Sequence, residues 1–375
     1  IKTYALKTVT YGTASAPYLA VKCLQKISDW IINQFPEESA VIRGDFYMDD
    51  LMTGGDCLES VKSLRKNVNN IMLEFGMPLR KWCSNEKSVL EGIDEQDIEI
   101  NLHIEAEKSN SVKTLGVIWN PKLDELGLRC KWEPQGKITK RSILSEVSRL
   151  FDPLGLVGPV IVTTKILLQD LWKLQIDWDE QVPEIIRSKW GLIRENLCHL
   201  NNLKVPRHII CVKPTQIELH GFCDASMKAY GAAIYIRSVD SCGNVFTQLA
   251  ASKSRVAPIK VITLPRLELC ASVLLVELVK VIVESLKMEL NNIYYYTDSS
   301  IVLSWIKLDP AKLQIFVSNR VSTIQANSDV SKWKHVRSAE NPADLISRGL
   351  LGKEILKNKF WFEGLNFFKE LSPRN

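Results

Sequence analysis

The feature that most constrains the fold is a pair of apolar runs within IELHGFCDASMKAYGAAIYI, residues 217–236. The runs at 217–223 and 230–236 are rich in β-branched and aromatic residues, and a short polar turn separates them. This pattern is typical of a β-hairpin. The hairpin ends its first strand on a carboxylate, Asp224.

Three further acids take comparable places downstream, each at the end of a strand or the start of a helix. The patterns predict strands at 217–223, 230–237, 245–253, 293–297 and 332–337, and helices at 266–287, 299–307, 312–326 and from Pro342. Glu268 lies on the long helix, Asp298 follows the fourth strand, and Asp344 opens the last helix. Three strands followed by alternating helix and strand predict a mixed five-stranded sheet flanked by helices.

Each acid also has a purely structural explanation. Asp298 suits the start of a helix, and Asp344 suits the exposed amides of a helix that Asn341 caps. Glu268 borders an apolar stripe, and Asp224 favours a turn. The four acids together, however, form a donor set of the hard oxygen ligands that Mg²⁺ prefers.

The order of DAS, LE, TDS and NPAD at these turns resembles the ribonuclease H fold, over residues 215–350. The resemblance implies cleavage of the RNA strand of an RNA/DNA hybrid with two Mg²⁺ ions, which Mn²⁺ can replace. In it Asp224 bridges both ions, Glu268 and Asp298 hold one, and Asp344 holds the other. Two such ions activate the attacking water and absorb charge on the leaving oxygen.

Nucleic-acid contacts are expected around these acids. A hybrid presents 2′-hydroxyls in a wide minor groove, which a protein can recognise without reading bases. The candidate contacts are Ser226, Lys228, Lys253, Arg255, Arg266, Ser299 and Arg348, and Trp305 and Trp333 are candidates for stacking or for the core. Many ribonucleases H carry a histidine before the last aspartate, but here that loop reads RSAENPAD. His335 lies earlier, so we expect a slower enzyme or one that uses Arg337 or Glu340.

The N-terminal third contains two adjacent acids, Asp49 and Asp50, in FYMDDLMTGG. Together with GTASAPYLA, LRKWCSN and LGVIWNP, this segment resembles the palm of reverse transcriptases. The particular residues of these motifs are similar to those of the Pao/BEL retrotransposon polyproteins. The family's first palm aspartate would precede Ile1, so the resemblance implies an incomplete polymerase site. DNA synthesis is expected only if the missing N-terminal part is supplied.

We expect a multidomain chain of mixed helices and strands, in the α/β (α+β) class. It comprises a partial palm at 1–118, a helical thumb or connection at 119–214, a ribonuclease H-like domain at 215–350 and a tail at 351–375 that leads toward an integrase region. Lys137, Lys140, Arg141 and Arg149 of the connection are candidate phosphate contacts, or else a solvated helix face. No protease signature stands in the middle region.

Composition adds weaker limits. A chain of 375 residues exceeds one core, and a net charge of +5 permits a nucleic-acid partner without requiring one. Nine cysteines without a CxxC pair indicate reduced thiols, and no apolar run reaches the roughly 18 residues that cross a membrane. The thiols indicate an intracellular protein, and the resemblance implies a cytoplasmic location in retroelement particles, with the rest of the polyprotein as a partner. The alternative function is an inactive nucleic-acid-binding remnant.

Overall fold

The computed structural model describes residues 9–10, 12–99, 112–114, 117–130 and 136–364. Contacts divide the chain into one unit of Ile1–Thr114 with Asn120–Leu123 and a second unit of Leu115–Trp119 with Asp124–Asn375. Of the partial palm expected at 1–118, residues 1–8, 11, 100–111, 115 and 116 lie outside the described residues.

The first unit is built on three helices. These are α1 (Ala16–Ile31), α2 (Pro36–Gly44) and α3 (Leu58–Glu74), with the short strands β1 (Phe46–Tyr47), β2 (Asp50–Leu51) and β3 (Val112–Thr114). A small core that includes Ile42, Val68 and Met72 holds the helices together. β1 and β2 form a hairpin, with Tyr47 opposite Asp50.

The second unit contains the remaining elements. Its strands are β4 (Val117–Asn120, of which Asn120 falls in the first unit), β5 (Glu125–Leu128), β6 (Val205–Pro206), β7 (Gln216–Ala225), β8 (Ala229–Val239), β9 (Val245–Val256), β10 (Asn292–Thr297) and β11 (Trp333–His335). Its helices are α4 (Lys140–Ser148), α5 (Gly158–Lys173), α6 (Glu184–Leu197), α7 (Leu264–Leu286), α8 (Ser300–Ile306), α9 (Ile315–Asn327), α10 (Ala343–Arg348), α11 (Gly352–Ile355) and α12 (Lys359–Glu363).

The central sheet has five strands in the order β11-β10-β7-β8-β9. β7, β8 and β9 form an antiparallel meander, whereas β10 runs parallel to β7 and β11 runs parallel to β10. Each strand and helix expected between residues 217 and 348 is present, within a few residues of the predicted limits. The mixed five-stranded sheet flanked by helices is therefore confirmed.

The two faces of this sheet bury different cores because side chains alternate along a strand. One face packs α7, α8 and α9 through residues that include Leu219, Ile234 and Leu275. Gly221 allows α7 to approach closely, since a Cβ there would lie 2.6 Å from Leu275 Cδ1.

The other face packs α5, α10 and α12. Its core joins Phe222 and Tyr235 of the sheet to Leu171, Trp190 and Trp361. Trp361 is fully buried, donates its Nε1 proton to the Leu156 carbonyl at 2.8 Å, and accepts the Tyr235 hydroxyl on its own carbonyl at 2.8 Å. The core thus continues across residues 214 and 350, where the sequence predicted domain limits.

Two further observations concern the whole described chain. All nine cysteines lie in the described part and are free thiols. Among the described helices, none combines the length and the apolar character needed to span a bilayer.

Candidate active site

The four predicted acids come from four elements that meet at one end of the central sheet. The parallel pairing of β7 with β10 sets Cys223 beside Thr297, so the next residues, Asp224 and Asp298, follow side by side at this end of the sheet. α7 and α10 both pack on β7 and carry Glu268 and Asp344. The fold therefore supplies one carboxylate from each of these four elements.

Asp224 is the most deeply buried of the four, with 6% of its surface exposed. Burial is the largest cause that raises the pKa of its carboxyl, the hydrogen bond from Ser347 lowers it, and the charges of Asp298 and Asp344 raise it again, which together give a pKa of about 7. A carboxylate that is disfavoured by both burial and like charges gains most from a nearby cation.

Glu268 and Asp298 face the same acidic environment. Burial raises the pKa of Glu268, the Ser299 hydroxyl lowers it, and the charge of Asp298 raises it again. Asp298 accepts the Ser338 hydroxyl on Oδ2 at 2.6 Å, while its Oδ1 is buried and has no hydrogen-bond partner within the described part of the chain. An orphaned buried carboxylate oxygen is costly unless a ligand satisfies it.

Asp344 is tied to its own helix. α10 begins at Ala343, one residue later than predicted, and Asp344 Oδ1 accepts a charge-assisted hydrogen bond from Arg348 Nε at 2.6 Å, one helical turn onward. Arg348, a predicted nucleic-acid contact, is exposed and already engaged by this ion pair.

The donor set fits a divalent ion in its chemistry. It consists of hard carboxylate oxygens, one of them unpartnered, in a cluster whose members repel one another. As the side chains stand, the described residues contain no group of three or more His, Cys, Asp or Glu arranged to hold a metal. A shared ion would therefore require carboxylates that now face serine or arginine partners to turn toward it.

Three residues that support the acids escaped the sequence analysis. Ser347 is fully buried and donates its hydroxyl proton to Asp224 Oδ2. Asn341, which the sequence analysis considered only as a helix cap, donates Nδ2–H to the Cys223 carbonyl at 3.0 Å. Ser338 donates its hydroxyl proton to Asp298 Oδ2. Ser347 carries a weak sequence signal, because residues i and i+3 lie on the same side of a helix.

The predicted nucleic-acid contacts divide into exposed and internal groups. Lys228, Lys253 and Arg255 are exposed around the turn after β7 and the end of β9. Ser226, by contrast, donates to the Ser347 carbonyl at 2.8 Å, and Ser299 is 6% exposed and accepts the Val302 amide at the start of α8. The hydroxyls of these two serines therefore form hydrogen bonds with main-chain groups of the protein itself.

The remaining predicted residues near the site also have protein partners. Arg266 donates to Gln314 Oε1 at 3.1 Å. Trp333 is buried and stacks on Tyr295, with 5.0 Å between ring centroids, so it belongs to the core, and Trp305 is half-buried. His335 is exposed and has Nε2 3.1 Å from the main-chain oxygen of Asp298.

In the first unit, Asp49 and Asp50 are exposed at the β1–β2 hairpin. Met48, which precedes them, has a φ of 57°, the left-handed conformation that the tight turn requires. Thr53 donates its hydroxyl to Asp45 Oδ2 at 2.8 Å beside this hairpin.

Comparisons with known proteins found a family model and solved structures that are similar to parts of this chain. Residues 139–299 match the family model described as Pao retrotransposon-like RNaseH-like domain. A search of curated protein sequences found no match. Solved structures similar to this chain include the RNase H1 called LC11, isolated from compost, in complex with RNA/DNA hybrid. It is 15% identical, with a TM-score of 0.26, and the match covers 37% of this chain and 99% of that chain.

Two other solved structures that are similar to this chain come from an archaeon and from a foamy virus. RNase H1 from the halophilic archaeon Halobacterium salinarum NRC-1 is 14% identical, with a TM-score of 0.22, over 38% of this chain and 96% of that chain. The foamy viral protease-reverse transcriptase in complex with double-stranded DNA is 14% identical, with a TM-score of 0.22, over 88% of this chain and 51% of that chain. The family match agrees with the resemblance to the Pao/BEL polyproteins: residues 139–299 of this chain are similar to the Pao retrotransposon-like RNaseH-like domain.

Proposed function

We propose that this chain acts as a retroelement ribonuclease H, which hydrolyses the RNA strand of an RNA/DNA hybrid with the help of divalent cations. The observation that carries the proposal is the mutual influence of the acids at one end of the sheet. The charges of Asp298 and Asp344 both act on Asp224, and the charge of Asp298 acts on Glu268. Stable packing gives no reason to gather four acids there.

The acids Asp224, Glu268, Asp298 and Asp344 are the proposed ligands of two Mg²⁺ ions. Bound there, the ions would supply an activated water and would absorb negative charge on the phosphodiester. Asp298 Oδ1 supports this assignment because it is buried and has no hydrogen-bond partner among the described residues. Asp224 supports it because its burial disfavours a negative charge that a cation would compensate.

The proposed substrate surface surrounds this end of the sheet. Lys228, Lys253 and Arg255 are exposed there, and long basic side chains neutralise phosphates without reading sequence. Arg255 lies 4.0 Å from Glu277, and both side chains are about half exposed, so this weak pair leaves the guanidinium available. We therefore propose that the hybrid is recognised by its backbone and groove shape.

The second candidate function is an inactive nucleic-acid-binding domain. It is favoured by the finding that the described residues contain no ready-made group of three metal-binding side chains. The two candidates predict the same binding of a hybrid but differ in hydrolysis. A primer-extension assay in Mg²⁺ and Mn²⁺ measures polymerase activity separately.

The deciding experiment is cleavage of a hybrid labelled on its RNA strand. Wild-type protein is expected to cut the RNA in Mg²⁺, and Asp298→Asn is expected to lose activity by orders of magnitude, because it removes a ligand charge with little change in volume. Asp177→Asn, at an exposed position on another part of the second unit, is the matched control and should cleave as wild type does. Binding of the hybrid without cleavage in either metal would leave the inactive alternative standing.

A further inference from the structure

Ser347 lies beneath the proposed metal site and cannot touch a substrate, because none of its surface is exposed. Its hydroxyl donates to Asp224 Oδ2, and the same oxygen lies 3.1 Å from the main-chain oxygen of Asp344. A serine hydroxyl carries one proton. Ser347 therefore has two acceptors within reach and can satisfy only one of them at a time.

The backbone around Ser347 is held firmly on the end of β7. Ser226 donates to the Ser347 carbonyl at 2.8 Å, and Asn341 donates to the Cys223 carbonyl at 3.0 Å, so α10 is bonded to the sheet on both sides of Asp224. Gly231, which pairs with Asp224, permits this approach, since a Cβ there would lie 2.4 Å from Ile346 Cγ2.

The choice of acceptor separates Ser347 from an ordinary buried helical serine. Such a serine satisfies itself on a carbonyl of its own preceding turn. Ser272 of α7 does this, with its hydroxyl on the Glu268 carbonyl at 3.0 Å. Ser347 has the equivalent bond to Asp344 available, yet its closer acceptor is the carboxylate of Asp224.

We propose that Ser347 is a positioning residue for Asp224, an inference that depends on the proposed metal-dependent function. Its hydroxyl holds the Asp224 carboxylate in place while no cation is bound. With a divalent cation held on that carboxylate, the Ser347 hydroxyl would be free to donate to the Asp344 carbonyl, and neither group would be left unsatisfied. Residues that orient metal ligands in this way commonly change metal affinity by roughly 10- to 100-fold when removed.

The test measures Mn²⁺ binding to the free protein by electron paramagnetic resonance, without substrate. Ser347→Ala removes the hydroxyl and creates no overlap, and we expect the Kd for Mn²⁺ to rise by about 10-fold. Ser272→Ala, a fully buried serine on the other face of the sheet, is the matched control and should keep the wild-type Kd. An unchanged Kd in a folded Ser347→Ala protein overturns the proposal.

Cleavage kinetics supply a second readout. If Ser347 positions a metal ligand, Ser347→Ala should need about 10-fold more Mg²⁺ for half-maximal cleavage and should recover most of its rate at saturating Mg²⁺. A lower rate with unchanged Mg²⁺ dependence would indicate a merely structural role and overturn the proposal. If Ser347→Ala does not fold, Ser347→Cys, whose thiol is a weak donor, should show the same loss of Mn²⁺ affinity, and an unchanged Kd would be decisive against it.

The outcomes for the inference and for the proposed function are distinct. A wild-type protein that binds Mn²⁺ but cleaves no hybrid contradicts the proposed function, while the Kd of Ser347→Ala still decides the role of Ser347. A wild-type protein that cleaves, with a Ser347→Ala protein of unchanged Kd, contradicts the inference alone. Absence of Mn²⁺ binding in the wild type overturns both.

Discussion

Replacing Asp224 by asparagine should stabilise the metal-free protein while it removes the proposed activity. Burial and two neighbouring acids raise the pKa of this carboxyl from 3.8 to about 7 in the folded chain. The difference is about three pH units, and each unit corresponds to about 1.4 kcal/mol, so the carboxylate costs the fold up to about 4 kcal/mol at pH 8. Asparagine removes the charge and keeps an oxygen that can accept the Ser347 hydroxyl.

The gain should depend on pH in a defined direction. Below about pH 4 the carboxyl is protonated in both the folded and the unfolded chain, so it costs nothing. As the pH rises toward 7 only the unfolded chain carries the charge, and the wild type loses stability relative to the variant. Above about pH 7 the full cost is present. We expect a gain of about 2–4 kcal/mol at pH 8 and almost none at pH 4.

Urea unfolding in EDTA at the two pH values measures this difference, and hydrogen exchange of the β7 amides reports the second unit separately. Asp177→Asn, which removes an exposed carboxylate, should leave stability within about 0.5 kcal/mol of wild type at both pH values. Equal or lower stability of Asp224→Asn at pH 8, or the same gain at pH 4, would refute the reasoning. Added Mg²⁺ should stabilise the wild type and not the variant.

Three further predictions address the scaffold. Gly231→Ala should lower the free energy of unfolding by about 1–3 kcal/mol and slow hybrid cleavage, because its methyl group would displace Ile346 and with it α10. A melting curve measures the first effect and the cleavage assay measures the second. Trp361→Ala should destabilise the second unit by about 3–5 kcal/mol in urea unfolding, because this ring is fully buried; a change under 1 kcal/mol would show that it lies outside the core. Asp124 accepts two hydrogen bonds from Arg207 in an ion pair. Burial raises the pKa of Asp124, but the hydrogen bonds and the charge of Arg207 outweigh burial, so its pKa is lowered. A lowered pKa stabilises the fold only while the carboxyl is ionised, so Asp124→Asn should cost about 1 kcal/mol or less at pH 7, and its stability should approach that of the wild type as the pH falls below about 4.

The sequence determined the local elements of the central sheet and where its acids fall. Two apolar runs rich in β-branched and aromatic residues predicted β7 and β8 within a few residues, and helical spacing predicted α7. These patterns are local, because burial of both faces of a strand favours a continuous apolar run and burial of one face of a helix imposes apolar spacing. The parallel return of β10 beside β7 then brought Asp224 and Asp298 together.

Only the tertiary structure decided which polar groups support those acids. Ser347 and Asp224 are 123 residues apart in sequence, and no local pattern records a hydrogen bond between them. Lys140, a candidate phosphate contact in the sequence, is buried, with its Nζ 3.6 Å from the centroid of Trp172. Trp361 lies in the segment that the sequence analysis described as a tail, yet its side chain is part of the core beneath the sheet. Burial and partner choice depend on which distant surfaces meet, so they are properties of the assembled fold and not of any segment by itself.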